Sequence, residues 1–149
     1  MKTKYKKLDY NTEDLESLPN SDLKKLGDYW LRQYLLNHTS GFGERFYCEL
    51  KKQSFHKDQM HVCHYEDRAN LWTRFDLQNC YLISAQSNTW DSQILVEGYK
   101  SLHHKEYSEW LVKKYGEGIL EILREKAKST ETFRKQNYIE AINKFRNNE

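Results

Sequence analysis

Long apolar runs are missing from this chain. None approaches the roughly 20 residues that a membrane-spanning helix needs. Residues 1–9 carry lysines but no apolar segment, so neither a membrane span nor a secretory leader is expected. Cysteine is scarce, and Cys48, Cys63 and Cys80 form no C-x-x-C pair. An odd count without a leader points to reduced thiols and a cytoplasmic setting. Proline occurs once, at Pro19, and the chain has neither an internal repeat nor a low-complexity tract. A length of 149 residues is then read as one domain with a modest core. Apolar residues make up only 38%, so the eleven tyrosines and four tryptophans must supply much of that core.

Net charge is nearly absent too, at +2, and by itself it does not mark a nucleic-acid binder. The charge is unevenly spread, however. Residues 37–99 hold six Lys/Arg against eight Asp/Glu, whereas residues 100–149 hold eleven against eight. A slightly acidic, histidine-bearing centre beside a basic arm suits a metal site facing phosphate. The plainer alternative is a solvated C-terminal helix.

Residues 1–20 are polar and are expected to form a mobile lead-in. Asn20 or Ser21 can then cap a helix in which Leu23, Leu26, Trp30 and Tyr34 recur at helical spacing, with Leu31 and Leu35 beside them. Gly41 and Gly43 mark a loop. The β-like runs 45–50 and 60–65, separated by a polar stretch, predict a hairpin with a long turn. Residues 68–75 read as loop and 79–83 as a short apolar run. Ser84 or Ser87 is expected to cap a helix through Trp90 and Ile94. Further helices are expected over 102–115, ended by Gly116, over 119–128, and over 133–145. The architecture is therefore α+β, a hairpin-plus-helix centre flanked by helices.

The chemistry concentrates in His61-Val-Cys-His64-Tyr-Glu-Asp-Arg68, Arg74-Phe-Asp76 and the stretch from Asn79 to Asn88. A neutral imidazole can take a proton from water or ligate a divalent metal. An asparagine carbonyl is a neutral ligand, and its amide can orient an imidazole.

This pattern resembles the HNH nucleases, whose ββα-metal unit has a strand-end histidine, a central asparagine and a third histidine or asparagine on the next helix. His64, Asn79 and Asn88 match those positions in order and spacing. More narrowly, the chain is similar to the bacteriophage NinG/Rap recombination proteins, through Leu23–Leu36, His61–Arg68, Arg74–Asn79 and Tyr107–Gly116. The resemblance covers roughly residues 21–145. It implies one treble-clef domain over that range with a helical C-terminal extension, and a structure-selective DNA endonuclease using a divalent ion, Mg²⁺ or Mn²⁺. On this basis His64 is the expected general base, and Asn79 holds the loop and the imidazole. His61 and Asn88 are the expected metal ligands. Arg68 and Arg74 are expected to grip phosphate, with Lys113 and Lys114 next. The implied partner is branched or duplex DNA in a bacterial host's cytosol, with a homodimer left open.

The chain also departs from the family pattern. Many members hold a structural zinc with two C-x-x-C pairs. Here Cys48 stands without its partner, Lys51 occupies that place, and Ser84 and Ser87 occupy the second pair's places. A single thiolate cannot build the usual four-ligand site, so no structural zinc is expected. His61 and His64 are three apart, and an ideal strand points them to opposite faces. Convergence of His64, Asn79 and Asn88 in one cleft is nonetheless expected, with His61 at its rim. The structural alternatives are a half-buried histidine at His64, core-filling thiols at Cys63 and Cys80, and solvent-facing His103 and His104. Tyr99, Tyr107, Trp110 and Tyr115 read first as packing and second as base-stacking platforms. The rival function is a catalytically inactive DNA-binding or protein-interaction module on the same scaffold.

Overall fold

The computed structural model describes residues 7–148. The fold is α+β, with two small antiparallel sheets. The chain forms two compact units, and their boundaries fall between Tyr34 and Leu35 and between Thr132 and Phe133. The first six residues of the expected lead-in lie outside the described residues.

The smaller unit is helical. Helix α1 is Asn20–His38, and the last helix, α5, is Lys135–Arg146. Leu23, Leu26 and Leu31 of α1 and Tyr138, Ile139, Ile142 and Phe145 of α5 are buried. Separations of three and eight in α1, and of three, four and seven in α5, keep these side chains on one helix face. Trp30 and Tyr34, expected in the same stripe, sit only half-buried at its edge. The stretch before α1 is tied down rather than loose. Leu15 is buried, Trp30 Nε1 donates to Tyr10 O at 3.0 Å, and Arg146 Nη1 donates to Thr12 O at 3.0 Å.

The larger unit begins with the last turn of α1, from Leu35, followed by a three-stranded sheet of β1 (Gly41–Phe42), β2 (Arg45–Cys48) and β3 (Gln53–His56), paired in that order. This corrects the expected pairing of 45–50 with 60–65. The chain turns back directly after Cys48, where Lys52 adopts φ 54° and donates its N–H to Cys48 O at 2.8 Å. That left-handed residue closes a tight turn, so β2 is paired with β3 before the chain reaches Met60. Strand β4 (Met60–His64) pairs instead with β5 (Cys80–Ser84), and His64 lies opposite Cys80.

Between β4 and β5 lies a short helix, α2 (Leu71–Arg74), inside the expected loop. After β5 a π turn, Gln86–Trp90, replaces the expected α-helix, and a single 3₁₀ turn, Asp91–Gln93, follows it. Helix α3 (Leu102–Tyr115) has the expected bounds. Ser101 Oγ accepts from His104 N at 3.0 Å to start it, and Gly116 at φ 96° ends it, a backbone value that glycine adopts without strain. Helix α4 is Ile119–Ala127. The core of this unit joins Cys48, Leu50, Met60, Cys63, Leu82, Ile83, Tyr107, Leu111, Ile119 and Leu123.

Candidate functional site

The β4–β5 hairpin organises the site. Directly opposed residues of an antiparallel pair share a face, and faces alternate along each strand. His61, Cys63, Tyr81 and Ile83 therefore lie on one face, and Met60, Val62, His64, Cys80, Leu82 and Ser84 on the other. Helix α3 covers the first face: the Tyr107 hydroxyl donates to Cys63 O and Asn79 O, both at 3.2 Å, and Trp110 meets Tyr81 edge-on at 4.4 Å. The loop through α2 meets the second face.

On that second face the His64 Nε2 is 2.9 Å from Arg74 O. A carbonyl can only accept, so the proton resides on Nε2 and the ring's lone pair on Nδ1. The Cys80 thiol donates to the same carbonyl at 3.1 Å. Asn79 is fully buried and fixes the loop from within. Its Oδ1 accepts from Glu66 N at 2.7 Å, and its Nδ2 donates to Glu66 O and Thr73 O, each at 3.1 Å. Every donor and acceptor direction of this amide that the loop needs is thereby used, the condition under which a buried polar group is tolerated. Asn79 thus holds the carbonyl-bearing segment that orients His64.

On the first face the π turn brings Asn88 to His61, with Asn88 Nδ2 donating to His61 Nδ1 at 3.1 Å. Both side chains are half-buried. The structure therefore pairs His61 with Asn88 and sets His64 on the Arg74 carbonyl of the loop that Asn79 braces, and does not gather them in the single cleft that was expected. The reason is the strand period: three positions separate the imidazoles by about 10 Å along β4 and by a change of face.

The phosphate-gripping candidates divide similarly. Arg68, Lys113 and Lys114 are exposed. Arg74 is not available to phosphate: it is 8% exposed, and its Nη1 donates to Arg68 O at 2.8 Å, bracing the loop.

The four positions noted for their departure from a cysteine pattern lie in one polar seam. Cys48 Sγ accepts from Ser84 N at 3.4 Å, and Ser84 Oγ accepts from Ser87 N at 3.4 Å. Ser87 Oγ pairs with His103 Nδ1 at 2.8 Å. Lys51 Nζ pairs with Asp91 and, at 2.7 Å, with Glu106. Burial alone would lower the Lys51 pKa, but its hydrogen bonds to Asp91 and Glu106 outweigh that and hold it above the ordinary lysine value. His103, expected to face solvent, is half-buried, and burial lowers its pKa. The spacing of His103, Tyr107 and Leu111, four apart on α3, was the signal that it belongs to the core-facing stripe.

The donor set decides which metal ion these residues could hold. His61 and Asn88 offer one imidazole and one carboxamide, both neutral. Cys63 shares their face, but burial, and then the neighbouring Cys48, raise its pKa and keep it a thiol rather than a thiolate ligand. Among the described residues no three His, Cys, Asp or Glu side chains group as a metal-holding set. The Asn88 amide occupies the one lone pair of a neutral His61, so an ion would be held here only in place of that hydrogen bond, through His61 Nδ1 and Asn88 Oδ1, a nitrogen and amide-oxygen set that would suit a divalent transition ion such as Mn²⁺. Mg²⁺ is usually bound through carboxylates and fits this pair less well. Among the described residues no helix is long and apolar enough to cross a membrane. No protein-family model, no curated protein and no solved structure matches this chain.

Proposed function

We propose that this chain is a divalent-metal-dependent DNA endonuclease of the HNH type, built on a treble-clef core and acting on branched DNA in phage-type recombination. The observation that carries the reading is the His64 imidazole, held by the Arg74 carbonyl at 2.9 Å in the tautomer whose basic nitrogen is Nδ1. A general base needs this kind of fixed orientation before it can take a proton from water. Asn79, through its three bonds to the 66–79 loop, keeps that carbonyl in place. The polar seam of Cys48, Ser84 and Ser87 also supports the treble-clef resemblance, because these three sit together where the pattern would have cysteines.

His61 and Asn88 would hold the ion, and Arg68, Lys113 and Lys114 would bind backbone phosphates. The chemistry such an ion would supply there is Lewis-acid stabilisation of charge on a phosphate. His64 would take the proton of the attacking water at Nδ1, and because it lies on the hairpin face opposite His61 and Asn88, a phosphate shared by the two would have to sit at the hairpin's edge. The exposed cations neutralise phosphate, so binding weakens with salt, by about 0.9 in logarithmic slope per duplex contact.

A second reading is favoured by one specific observation. His64 and the His61–Asn88 pair lie on opposite faces of the hairpin, which suits a DNA-binding or protein-interaction module that no longer cleaves. Incubation with flap and four-way DNA in Mn²⁺ and in Mg²⁺ separates the two. On the nuclease reading His64→Ala loses cleavage by roughly two to four orders of magnitude, the scale of a lost general base, while DNA binding survives. Asn88→Ala raises the metal concentration required. Wild-type protein that binds these substrates and cuts none of them with either ion leaves the non-cleaving module as the answer.

A further inference from the structure

The C-terminal end of α3 carries a feature that the hairpin chemistry does not use. An open hollow of about 400 Å³ lies there, lined by Tyr47, Glu49, Lys52, Trp110, Lys113 and Lys114. Three ammonium groups face one carboxylate, so the hollow selects an anion. Two half-buried rings line it as well, so it also offers flat apolar surface. Trp110 is fixed by its edge-on contact with Tyr81. The Lys114 ammonium lies 5.0 Å from the Trp110 ring centre, 5.2 Å from that of Tyr81 and 5.6 Å from that of Tyr115. This holds a cation beside the ring surface, where an anion attached to an aromatic group would meet both.

We propose that this hollow seats one nucleotide of single-stranded DNA, with its base against Trp110 and Tyr47 and its phosphate on Lys52, Lys113 and Lys114. The assignment rests on the DNA-binding part of the function proposed above and names the form of DNA taken. A paired base keeps its faces inside the stack, so only an unpaired one can use the rings, whereas a duplex backbone or an acidic peptide would use the lysines alone. The location agrees with a branched substrate. Tyr81, which braces Trp110, shares the hairpin face of His61, two positions along the strand from the His61 partner Ile83. His103 at the other end of α3 touches Ser87, next to Asn88. From His103 to Lys114 the helix rises about 16 Å, so a single strand leaving a branch near Asn88 reaches the hollow within a few nucleotides.

The test reads binding in chelator, without any divalent ion, by fluorescence anisotropy. The probes are a thymidine oligomer of about twelve nucleotides, its abasic counterpart of equal length, and a duplex. The oligomer is expected to bind about tenfold tighter than the abasic strand, and Trp110→Leu to erase that difference. Lys52→Glu is expected to weaken both strands and to lower the salt slope by about 0.7. Circular dichroism checks each variant; if Trp110→Leu does not fold, the exposed variants Lys52→Glu and Lys113→Glu carry the decision. Equal affinity for the abasic strand overturns the assignment, as does displacement of the oligomer by polyglutamate at equal charge, or wild-type affinity in the variants. Wild type that binds neither strand nor duplex overturns the DNA reading together with the hollow. Wild type that binds the oligomer as described but cuts nothing in Mn²⁺ sinks the nuclease reading alone.

Discussion

The two units of this protein bury different kinds of residue. In the helical unit every buried side chain among the described residues is apolar, from Leu15, Leu23 and Leu26 to Ile142 and Phe145. In the α+β unit Thr73, Arg74, Asn79, Ser84, Ser87, Asp91, Ser101 and Ser108 are buried as well. An apolar core tolerates exchange among side chains of similar volume, because its attraction is non-directional. A buried polar group is held by particular partners and tolerates little exchange. The first unit is therefore defined by pattern and the second by a set of individual bonds, and the second carries every candidate residue of the site.

The largest expected effect tests that contrast directly. Asn79→Leu, close in volume, should cost about 4 kcal/mol, because Glu66 N, Glu66 O and Thr73 O lose their partner inside the core. The matched exchange in the other unit, Leu26→Met, should cost less than about 1.5 kcal/mol. Urea unfolding of both variants gives the comparison, and similar losses would break it.

A smaller effect is expected at the ion pairs. Lys51→Met leaves Asp91, 7% exposed, without its cation and should cost about 3 kcal/mol, the low end for a broken buried pair because the lysine is partly exposed. Adding Asp91→Asn should restore part of the loss, because it removes the stranded charge. A double variant no better than the single one would show that packing of the lysine stem, rather than charge, is what matters there.

The smallest effect is in the pH dependence. Burial lowers the pKa of His103 and of His104 below the ordinary 6.5. Between the folded value and 6.5 the unfolded chain binds more protons than the folded one, so stability is full above 6.5 and falls as pH drops through that window. His103→Gln, which can still meet Ser87 Oγ, should flatten this decline. Unfolding midpoints at neutral pH and about one unit below 6.5 measure it; an unchanged slope would place the proton uptake elsewhere.

The same contrast explains what could be read beforehand. Helix α3 was legible to the residue because its start needs only Ser101 and its end only Gly116. The burial of α1 followed from leucine spacing. The pairing of β2 was not legible, because it depends on one left-handed residue, Lys52, and nothing about a lysine signals that backbone state. At the site, residue types and order were readable, and the opposition of His61 and His64 followed from the strand period. The partners of His64 and Asn79 were not readable, because they are backbone carbonyls and amides of the 66–79 loop and carry no side-chain identity in the sequence. Ser87 with His103, and Lys51 with Asp91 and Glu106, are contacts over long separations that no local pattern encodes.

The π turn that presents Asn88 to His61 holds one residue more than an α turn, and its last N–H, from Asp91, reaches back five positions to Gln86 O. Each residue of an α-helix advances the chain by about 100°. Loss of the exposed Gln86 would return the segment to ordinary helix and swing the amide about 100° away from the imidazole, with His61 and Asn88 both still present. The pairing of Asn88 with His61 is thus sensitive to insertion and deletion in the turn as well as to substitution of either partner, and a one-residue deletion at Gln86 should disconnect the two while leaving both in the chain.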